Sequence, residues 1–510
     1  MALNRKIAHI DLKRKKINIH PIPLEWRRRF LGGRGTGAYL LSKYALPKCD
    51  PLGAENVIVI SAGLLDGTLA APLGCTSIMA KSPLTNLLSQ LQLKGLFASE
   101  MRWAGFDHLV ITHRAKQPVY LYIHNGRVEI RDAKIIWGEN VSNTQELIRK
   151  DLRYQDVRIL GIGPAGENLV RFATILTDQN TFSGRTGMGA VFGSKNIKAV
   201  VCRGTTDLEI KQPEEVLKFT RKIVGQVAGA NKKDLSPKES LRLNLSIGEV
   251  VPTRLTESRF NLLTKYDSLI KELGMDTLAV TEILHWMFAL IEKGIIRVKD
   301  TTVPKLSRGD SHAVRKMIYD IAFRKGYGDI LAKGPFRAAG LIGDSSLEYF
   351  LPVKWLIKLY VEYPSEMNFS RDEENEMILN CLGISPDAHD DFHFDKYDFS
   401  WAIEQISYNT GLIFSDKELR KIAHRCYAIE RLYNIRETMT CSSNFHPDCS
   451  FDVPLRLEMT NSQWDSIDLK TFKRMVGDYY RQRKWDKKTL FKAGVFKKLE
   501  IADLWSAAKR

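Results

Sequence analysis

The chain has 510 residues, of which 44% are apolar and 26% are charged, so a collagen-like or wholly disordered protein is excluded. Lysine and arginine outnumber aspartate and glutamate by 76 to 59, and the resulting net charge of +17 favours anionic ligands or acidic partners. Seven cysteines are few for this length and odd in number, which argues against a disulfide framework. The charged first sixteen residues contain no secretory signal, and we expect a cytoplasmic protein.

Residues 1–210 are predicted to form a β-rich first domain with glycines at its loop tips. Alternating or β-branched runs bounded by turn residues predict strands at 56–63, 107–112, 118–130, 157–163 and 197–204. Asn125-Gly126 interrupts one of these runs and predicts a hairpin, because both residues tolerate positive φ. A short helix is predicted at 143–152.

The remainder of the chain is predicted to be mostly helical, in two domains that span 211–365 and 366–510. Pro213 and the acidic residues after it are typical of a helix N-terminus. Helical periodicity continues at 277–294, 312–323, 417–437 and 469–485. The most apolar stretch, 278–296, is interrupted by Glu282, His285 and Glu292, which predicts a buried helix rather than a membrane crossing. The fold class is therefore α+β.

Three glycine-rich segments in the first domain, at 32–38, 162–173 and 183–199, are candidates for anion binding. Glycine permits close backbone approach, and Arg34, Arg185 and Lys195 lie where they could pair with phosphate oxygens. The dinucleotide pattern GxGxxG and the phosphate-loop pattern GxxxxGK[ST] are both absent from these segments. Tight turns between packed strands remain the alternative explanation for any single segment.

These segments resemble the tungsten-dependent aldehyde:ferredoxin oxidoreductase family. The resemblance extends from about residue 5 to about 460, and its motifs are LGGRGTGAYLL (31–41), GLLDGTLAAPLG (63–74), AKSPLTN (80–86), MRWAGFDHLVI (101–111), IGPAGENLVRFA, SGRTGMGAVFGSKNIKAV, KELGMDTLAV (271–280), LIEKGI (290–295), AIERLYNIRE (428–437) and FDVPLR (451–456). It implies a β-rich base under two tungsten-bound pterins, two helical domains above them, and a nearby four-iron cluster. It also implies oxidation of aldehydes to acids, with electrons passing to ferredoxin.

The resemblance implies cofactor contacts at a small set of positions. Those expected at the pterin phosphates are Arg34, Gly35, Gly184, Arg185, Gly187 and Lys195. Asp276 and Glu376 are expected to contribute at the pterin edges. The family's first edge motif begins with an aspartate that accepts two hydrogen bonds, whereas this chain has Lys271, whose ammonium can only donate. Cys75 also replaces an arginine of the family, and Gln92 replaces an asparagine that lies near the family's phosphate-bridging magnesium.

The cysteines that bind the family's four-iron cluster are not matched. Such a cluster needs several convergent thiolates, but the chain has no cysteine between 203 and 380. Cys381 matches only the fourth ligand, so we expect no metal ligands here and interpret Cys381 as a small buried apolar residue. A second apparent deletion follows residue 368, where the family carries a catalytic histidine. His389 and His393 do not match that residue, and we interpret them as surface side chains.

Other clusters of reactive or charged residues have simpler interpretations. Cys441 and Cys449, with His446 between them, fit no established zinc spacing. Glu430 and Arg431 are predicted to take part in an ion pair between domains. The basic runs at 13–16, 26–30 and 487–498 carry much of the surplus charge, and they fit docking of an acidic partner as well as nucleic acid, which we consider the less favoured ligand.

Two functional hypotheses follow. In the first, the chain is a catalytically lapsed or accessory homologue that works beside an intact paralogue. It keeps the pterin scaffold, and this hypothesis allows it to bind tungstopterin. In the second, it is a working tungsten or molybdenum oxidoreductase acting on aldehydes, whose electrons leave through a ferredoxin or a redox subunit. The altered motifs favour the first hypothesis, because a catalyst of this kind needs its metal site and an electron path.

Overall fold

The computed structural model describes residues 5–70, 74–177, 186–229, 257–296, 306–307, 309–343, 346, 369–385, 398–438, 481, 495–501 and 504. Predicted features at Gly184, Arg185, His389, His393, Cys441 and Cys449, and the predicted helix at 469–485 apart from Arg481, lie outside these residues.

Two β-sheets form the first part of the chain. The first sheet has the order β2-β1-β6-β3-β4-β5, in which β1 and β6 are parallel and all other neighbours are antiparallel. Its strands are β1 (Lys6–Asp11), β2 (Lys16–Pro21), β3 (Ile58–Ser61), β4 (Cys75–Lys81), β5 (Leu88–Lys94) and β6 (Phe106–Thr112). The second sheet has the order β10-β9-β11-β7-β8, in which only β7 and β11 are parallel. Its strands are β7 (Val119–His124), β8 (Arg127–Asp132), β9 (Arg158–Gly161), β10 (Leu176–Thr177) and β11 (Ile197–Arg203).

The helices of the first part connect or cover these strands. They are α1 (Leu24–Phe30), α2 (Gly33–Tyr44), α3 (Phe97–Trp103), α4 (Val141–Leu152), α5 (Pro164–Glu167) and α6 (Met188–Ser194), with a 3₁₀ turn at Lys134–Ile136. The rest of the described chain is helical. Its helices are α7 (Pro213–Gly229), α8 (Glu257–Glu272), α9 (Thr277–Glu292), α10 (Ser311–Ala322), α11 (Tyr327–Ala332), α12 (Pro335–Ile342), α13 (Phe369–Leu382), α14 (Ser400–Thr410), α15 (Asp416–Thr438) and α16 (Val495–Lys498).

Apolar side chains divide these elements into packed layers. The two sheets face each other across one buried cluster, which includes Ile10 and Leu91 from the first sheet and Ile123 from the second. The opposite face of the first sheet packs against α2, α13, α14 and α15 in a second cluster. A third cluster joins α8 to α12 with the segment around Phe172. The first sheet therefore supports the helices of the C-terminal part directly.

The α+β class and the β-rich first part followed by helices are confirmed. The predicted strands and the hairpin at Asn125-Gly126, whose φ values are +37° and +81°, lie where the sequence places them. The first hairpin, β1–β2, and the strands β4 and β5 were not predicted. The domain boundaries at 210 and 365 stay predictions. Within the described residues, no helix is both long and apolar enough to cross a membrane, and α9 is buried as predicted.

Candidate functional site

The glycine-rich segment 32–38 is not the open loop that the sequence predicts. Residues from Gly33 onward form the start of α2, and the Gly33 N–H donates to the Ala62 carbonyl at 2.7 Å. Gly33 has φ +42°, and a Cβ there would lie 2.1 Å from the Asn380 carbonyl oxygen. The glycine is therefore needed because the end of α13 approaches the backbone of α2.

Arg34 forms a buried cluster with two carboxylates. Its Nε and Nη2 donate to the two oxygens of Glu430 on α15 at 2.8 and 3.0 Å, and its Nη1 donates to Glu376 Oε1 on α13 at 3.0 Å. The guanidinium also lies over the Tyr427 ring, 5.0 Å from its centroid. Burial alone would lower the pKa of Arg34, but these carboxylates raise it well above its ordinary value. Glu430 thus forms an ion pair whose partner is Arg34; that this pair joins two domains, and that Arg431 takes part, stay predictions.

Glu376 keeps an exposed carboxylate at the edge of this cluster. Its side chain is 46% exposed, whereas those of Arg34 and Glu430 are 10% and 11% exposed. It accepts from Arg34 and, at 3.3 Å, from the Asn380 amide. Glu376 can therefore still accept a hydrogen bond from an added molecule, although one of its oxygens is shared with a cation.

Cys381 is fully buried, as predicted, and contacts a second cysteine. Its sulfur lies beside that of Cys426, which is on α15 and is also fully buried. Interaction with the Cys381 thiol and burial raise the pKa of Cys426 well above its ordinary value. A Cβ at Gly35 would lie 2.7 Å from the Cys426 sulfur and 2.9 Å from the Cys381 sulfur. Among the described residues, no group of three or more His, Cys, Asp or Glu could hold a metal ion.

The first edge motif, 271–276, connects α8 to α9. Lys271 Nζ lies 2.8 Å from Asp267 Oδ2, one helical turn earlier. Asp276 caps α9, because its Oδ1 accepts from the Ala279 N–H at 2.7 Å. Gly274 has φ +76°, and a Cβ there would lie 2.5 Å from the Gly163 nitrogen. This motif is thus packed against the segment 162–173.

The remaining described positions that the resemblance predicts as phosphate contacts lie against protein oxygens. Lys195 is fully buried, and its ammonium donates to the carbonyls of Ala54 at 3.0 Å and His113 at 2.8 Å. Burial lowers the pKa of Lys195 to about 7. Gly187 has φ +72°, and a Cβ there would lie 2.2 Å from the Arg171 carbonyl oxygen. These contacts favour roles in anchoring loops over the predicted phosphate contacts, which stay predictions.

Asp66 is a residue of this region that sequence reasoning missed. It lies in the segment 63–74, and its carboxylate accepts from the N–H groups of Gly63 at 2.7 Å and Cys75 at 3.1 Å. Burial raises the pKa of Asp66 to about 8. A Cβ at Gly383 would lie 2.3 Å from Asp66 Oδ2, so this carboxyl also contacts the turn after α13. The available signal was an aspartate between two glycines in a motif without strand or helix periodicity.

A second missed feature is a buried charge network beneath the same loops. Arg27 was expected to contribute surface charge, but it is 2% exposed, and its Nη2 donates to Asp107 Oδ2 at 2.7 Å. Arg102 Nε lies 3.4 Å from the other oxygen of Asp107. Burial alone would raise the pKa of Asp107. The charges of Arg102 and Arg27 outweigh this effect and hold the pKa below its usual range. The basic run 26–30 is therefore partly structural, and its expected surface role is wrong for Arg27.

Comparison with known proteins identifies the family. The model of the aldehyde ferredoxin oxidoreductase N-terminal domain matches residues 7–204, and that of domains 2 and 3 matches 251–360 and 369–501. The chain belongs to the aldehyde ferredoxin oxidoreductase family. The tungsten-containing aldehyde ferredoxin oxidoreductase of Pyrococcus furiosus is 31% identical over 409 residues, covering 67% of this chain and 68% of that protein. The corresponding protein of Thermococcus kodakarensis is 29% identical over 587 aligned positions, covering 94% and 96%.

Two further relatives extend the comparison. The WOR-like subunit of an aliphatic sulfonate oxidoreductase from Pyrococcus furiosus is 29% identical over 459 residues, covering 73% of each chain. A chain of the active site complex BamBC of benzoyl coenzyme A reductase, solved with 1,5-dienoyl-CoA, superposes with a TM-score of 0.79 at 20% identity, covering 99% of this chain and 98% of that one. The latter similarity supports the aldehyde ferredoxin oxidoreductase fold.

The described residues of this family member do not fit a two-pterin cofactor. Such a group needs cations for its phosphates and acceptors at both pterin edges. Arg34 donates to two carboxylates, and Lys195 to two carbonyls. The first edge position holds the ammonium of Lys271, paired with Asp267, and only the second retains an exposed acceptor, Glu376, among the described positions.

Proposed function

We propose that this chain is a catalytically lapsed or accessory member of the aldehyde ferredoxin oxidoreductase family. In this proposal it keeps the family fold as a scaffold and works beside an intact paralogue or a redox subunit. The observation that carries the proposal is the Arg34 cluster. A residue expected to meet an anionic cofactor instead joins Glu376 and Glu430, which neutralise it from two helices.

The proposed loss of the pterin site is also supported at Lys271. An ammonium presents only donors, as do the amino and ring N–H groups of a pterin edge. The pairing of Lys271 with Asp267 at 2.8 Å gives this cation a partner within its own helix. A carboxylate would have to replace Lys271 for the edge to be bound in the family's manner.

The proposed loss of the iron cluster is supported by cysteine positions. The chain has no cysteine between 203 and 380. The Cys381 thiol is buried beside that of Cys426 inside the helical core. A four-iron cluster needs more convergent thiolates than this pair provides.

The alternative is a working tungsten or molybdenum oxidoreductase that oxidises aldehydes to acids, with electrons leaving through a partner. The 31% identity to a tungsten-containing relative favours this alternative, as does the exposed acceptor of Glu376.

Both proposals include a partner, for which an acidic ferredoxin or redox subunit suits the net charge of +17. The BamBC neighbour is part of a complex, as its name states. A cytoplasmic location and the absence of nucleic-acid binding remain part of this proposal.

The deciding experiment is elemental analysis of the full-length protein, purified anaerobically from a tungsten-replete host. A tungsten-containing relative produced in the same host provides the positive control for metal loading. We expect less than a tenth of an equivalent of tungsten, molybdenum and iron, and no aldehyde-dependent dye reduction. Stoichiometric tungsten or molybdenum together with aldehyde-dependent dye reduction would reject the proposal and establish the alternative.

A further inference from the structure

Three helices meet at one point of the fold, which we call the three-helix junction: the start of α2, the end of α13 and the middle of α15. The junction has two layers. In the polar layer, Arg34 of α2 binds Glu376 of α13 and Glu430 of α15. In the adjacent sulfur layer, Gly35 of α2 packs against Cys381 of α13 and Cys426 of α15.

The sulfur layer brings two thiols together beside the backbone of Gly35. Cys381 and Cys426 are each 0% exposed, lie side by side against Gly35, and are surrounded by the apolar cluster beneath α2. Gly35 makes their approach possible, because a methyl group there would lie within 2.9 Å of both sulfurs. Such a contact is too short for a real side chain, so any larger residue would displace at least one thiol.

We propose that Cys381 and Cys426 are an oxidative modification site, which a hydroperoxide converts to an intramolecular disulfide. One thiol attacks hydrogen peroxide and breaks its O–O bond; the sulfur keeps one oxygen as a sulfenic acid, and the other oxygen takes the thiol proton and leaves as one water. The second thiol displaces the sulfenic oxygen as a second water, so two electrons pass from the sulfurs to the peroxide. The product is neutral, as suits an apolar core, whereas a thiolate-bound metal ion would place charge there.

The disulfide would tie α13 directly to α15, the two helices that carry the carboxylates of the polar layer. It would close a loop of about 45 residues and so restrict the unfolded chain more than the folded one. Its effect is therefore a more stable junction, with Glu376 and Glu430 held in place around Arg34. The site does not depend on whether the chain binds a pterin, so its test is independent of the proposed function.

The test is oxidation of the reduced full-length protein with hydrogen peroxide, followed by alkylation and digestion without reductant. We expect one linked peptide that joins Cys381 to Cys426, a loss of two alkylatable thiols, and a higher unfolding midpoint that reverts with dithiothreitol. The variant Cys426→Ala should lose the linked peptide and the midpoint shift. Cys202→Ala, which removes a buried cysteine of β11, should keep both.

A second variant tests the geometry without removing a sulfur. Gly35→Ala should reduce the yield of the linked peptide at least fivefold, because the added methyl displaces a thiol. Gly138→Ala, at a glycine with no atom within 4 Å of the added carbon, should leave the yield unchanged. The proposal is wrong if peroxide that fully oxidises the partly exposed Cys49 leaves the pair reduced. It is equally wrong if Cys381 or Cys426 is found linked to another cysteine.

Discussion

Replacement of Arg34 by methionine should destabilise the protein even when no cofactor is present. The side chains of Arg34 and Glu430 are 10% and 11% exposed, so their two-pronged ion pair is shielded from water. Removal of one partner from a buried pair costs about 3–5 kcal/mol, because the other charge stays buried without compensation. The bond to Glu376 adds little, since that carboxylate is 46% exposed and surface pairs contribute roughly 0–1 kcal/mol.

The assay is urea denaturation of metal-free protein, followed by tryptophan fluorescence. Arg34→Met should lower the free energy of unfolding by about 3–5 kcal/mol. The double variant Arg34→Met with Glu430→Met should cost less than Arg34→Met alone, because it removes both charges and leaves apolar groups. A loss below about 1 kcal/mol, or a double variant that costs the sum of the single ones, would refute the structural role of Arg34.

Three further outcomes are expected in the same assay. Gly187→Ala should lower the free energy of unfolding by about 3 kcal/mol or more, because the new Cβ would lie 2.2 Å from a carbonyl oxygen. Gly138→Ala, which has positive φ but open space around the new carbon, should lower it by only about 1–2 kcal/mol. Equal losses would contradict the packing argument. Burial lowers the pKa of His108 from 6.5 to about 3, so the unfolded chain binds its proton first and stability should fall as the pH drops from 6.5 towards 3. His108→Asn should flatten that pH dependence, and an unchanged slope would show that His108 does not cause it. Lys195→Met should cost about 2–4 kcal/mol, because two buried carbonyls lose their donor. Since the pKa of Lys195 falls from 10.5 to about 7, the wild type should gain stability from pH 7 to 10.5, and the variant should lack that gain.

The strands of the two sheets were predictable where apolar residues dominate. β6 and β11 are continuous runs of buried residues, and Asn125-Gly126 predicts the hairpin that joins β7 to β8. The strands β4 and β5 were missed, because polar Ser, Gln and Thr interrupt their sequences. Their strand conformation depends on pairing with each other and with β3, which local propensity does not encode.

The sequence could name candidate positions for the site, but it could not show what those positions contact. The pattern of segment 32–38 indicated that a backbone must come close, and the structure shows that the neighbour of Gly33 is Asn380 of α13. Glycine permits approach by a helix or by a ligand, since the missing Cβ makes room whatever fills it. Similarly, the basic run 26–30 indicated charge, but it could not separate buried Arg27 from its exposed neighbour Arg28.

The sequence by itself determined the family and the kinds of atoms that the chain can offer: an ammonium at Lys271, a glutamate at 376, and no cysteine between 203 and 380. Only the tertiary structure decided what those atoms face. Arg34 meets Glu430 across 396 positions of sequence, and Cys381 meets Cys426 beneath Gly35. The physical reason is that a side chain's charge and hydrogen-bonding capacity are local properties, whereas its partner is chosen by the packing of helices that are distant in the chain.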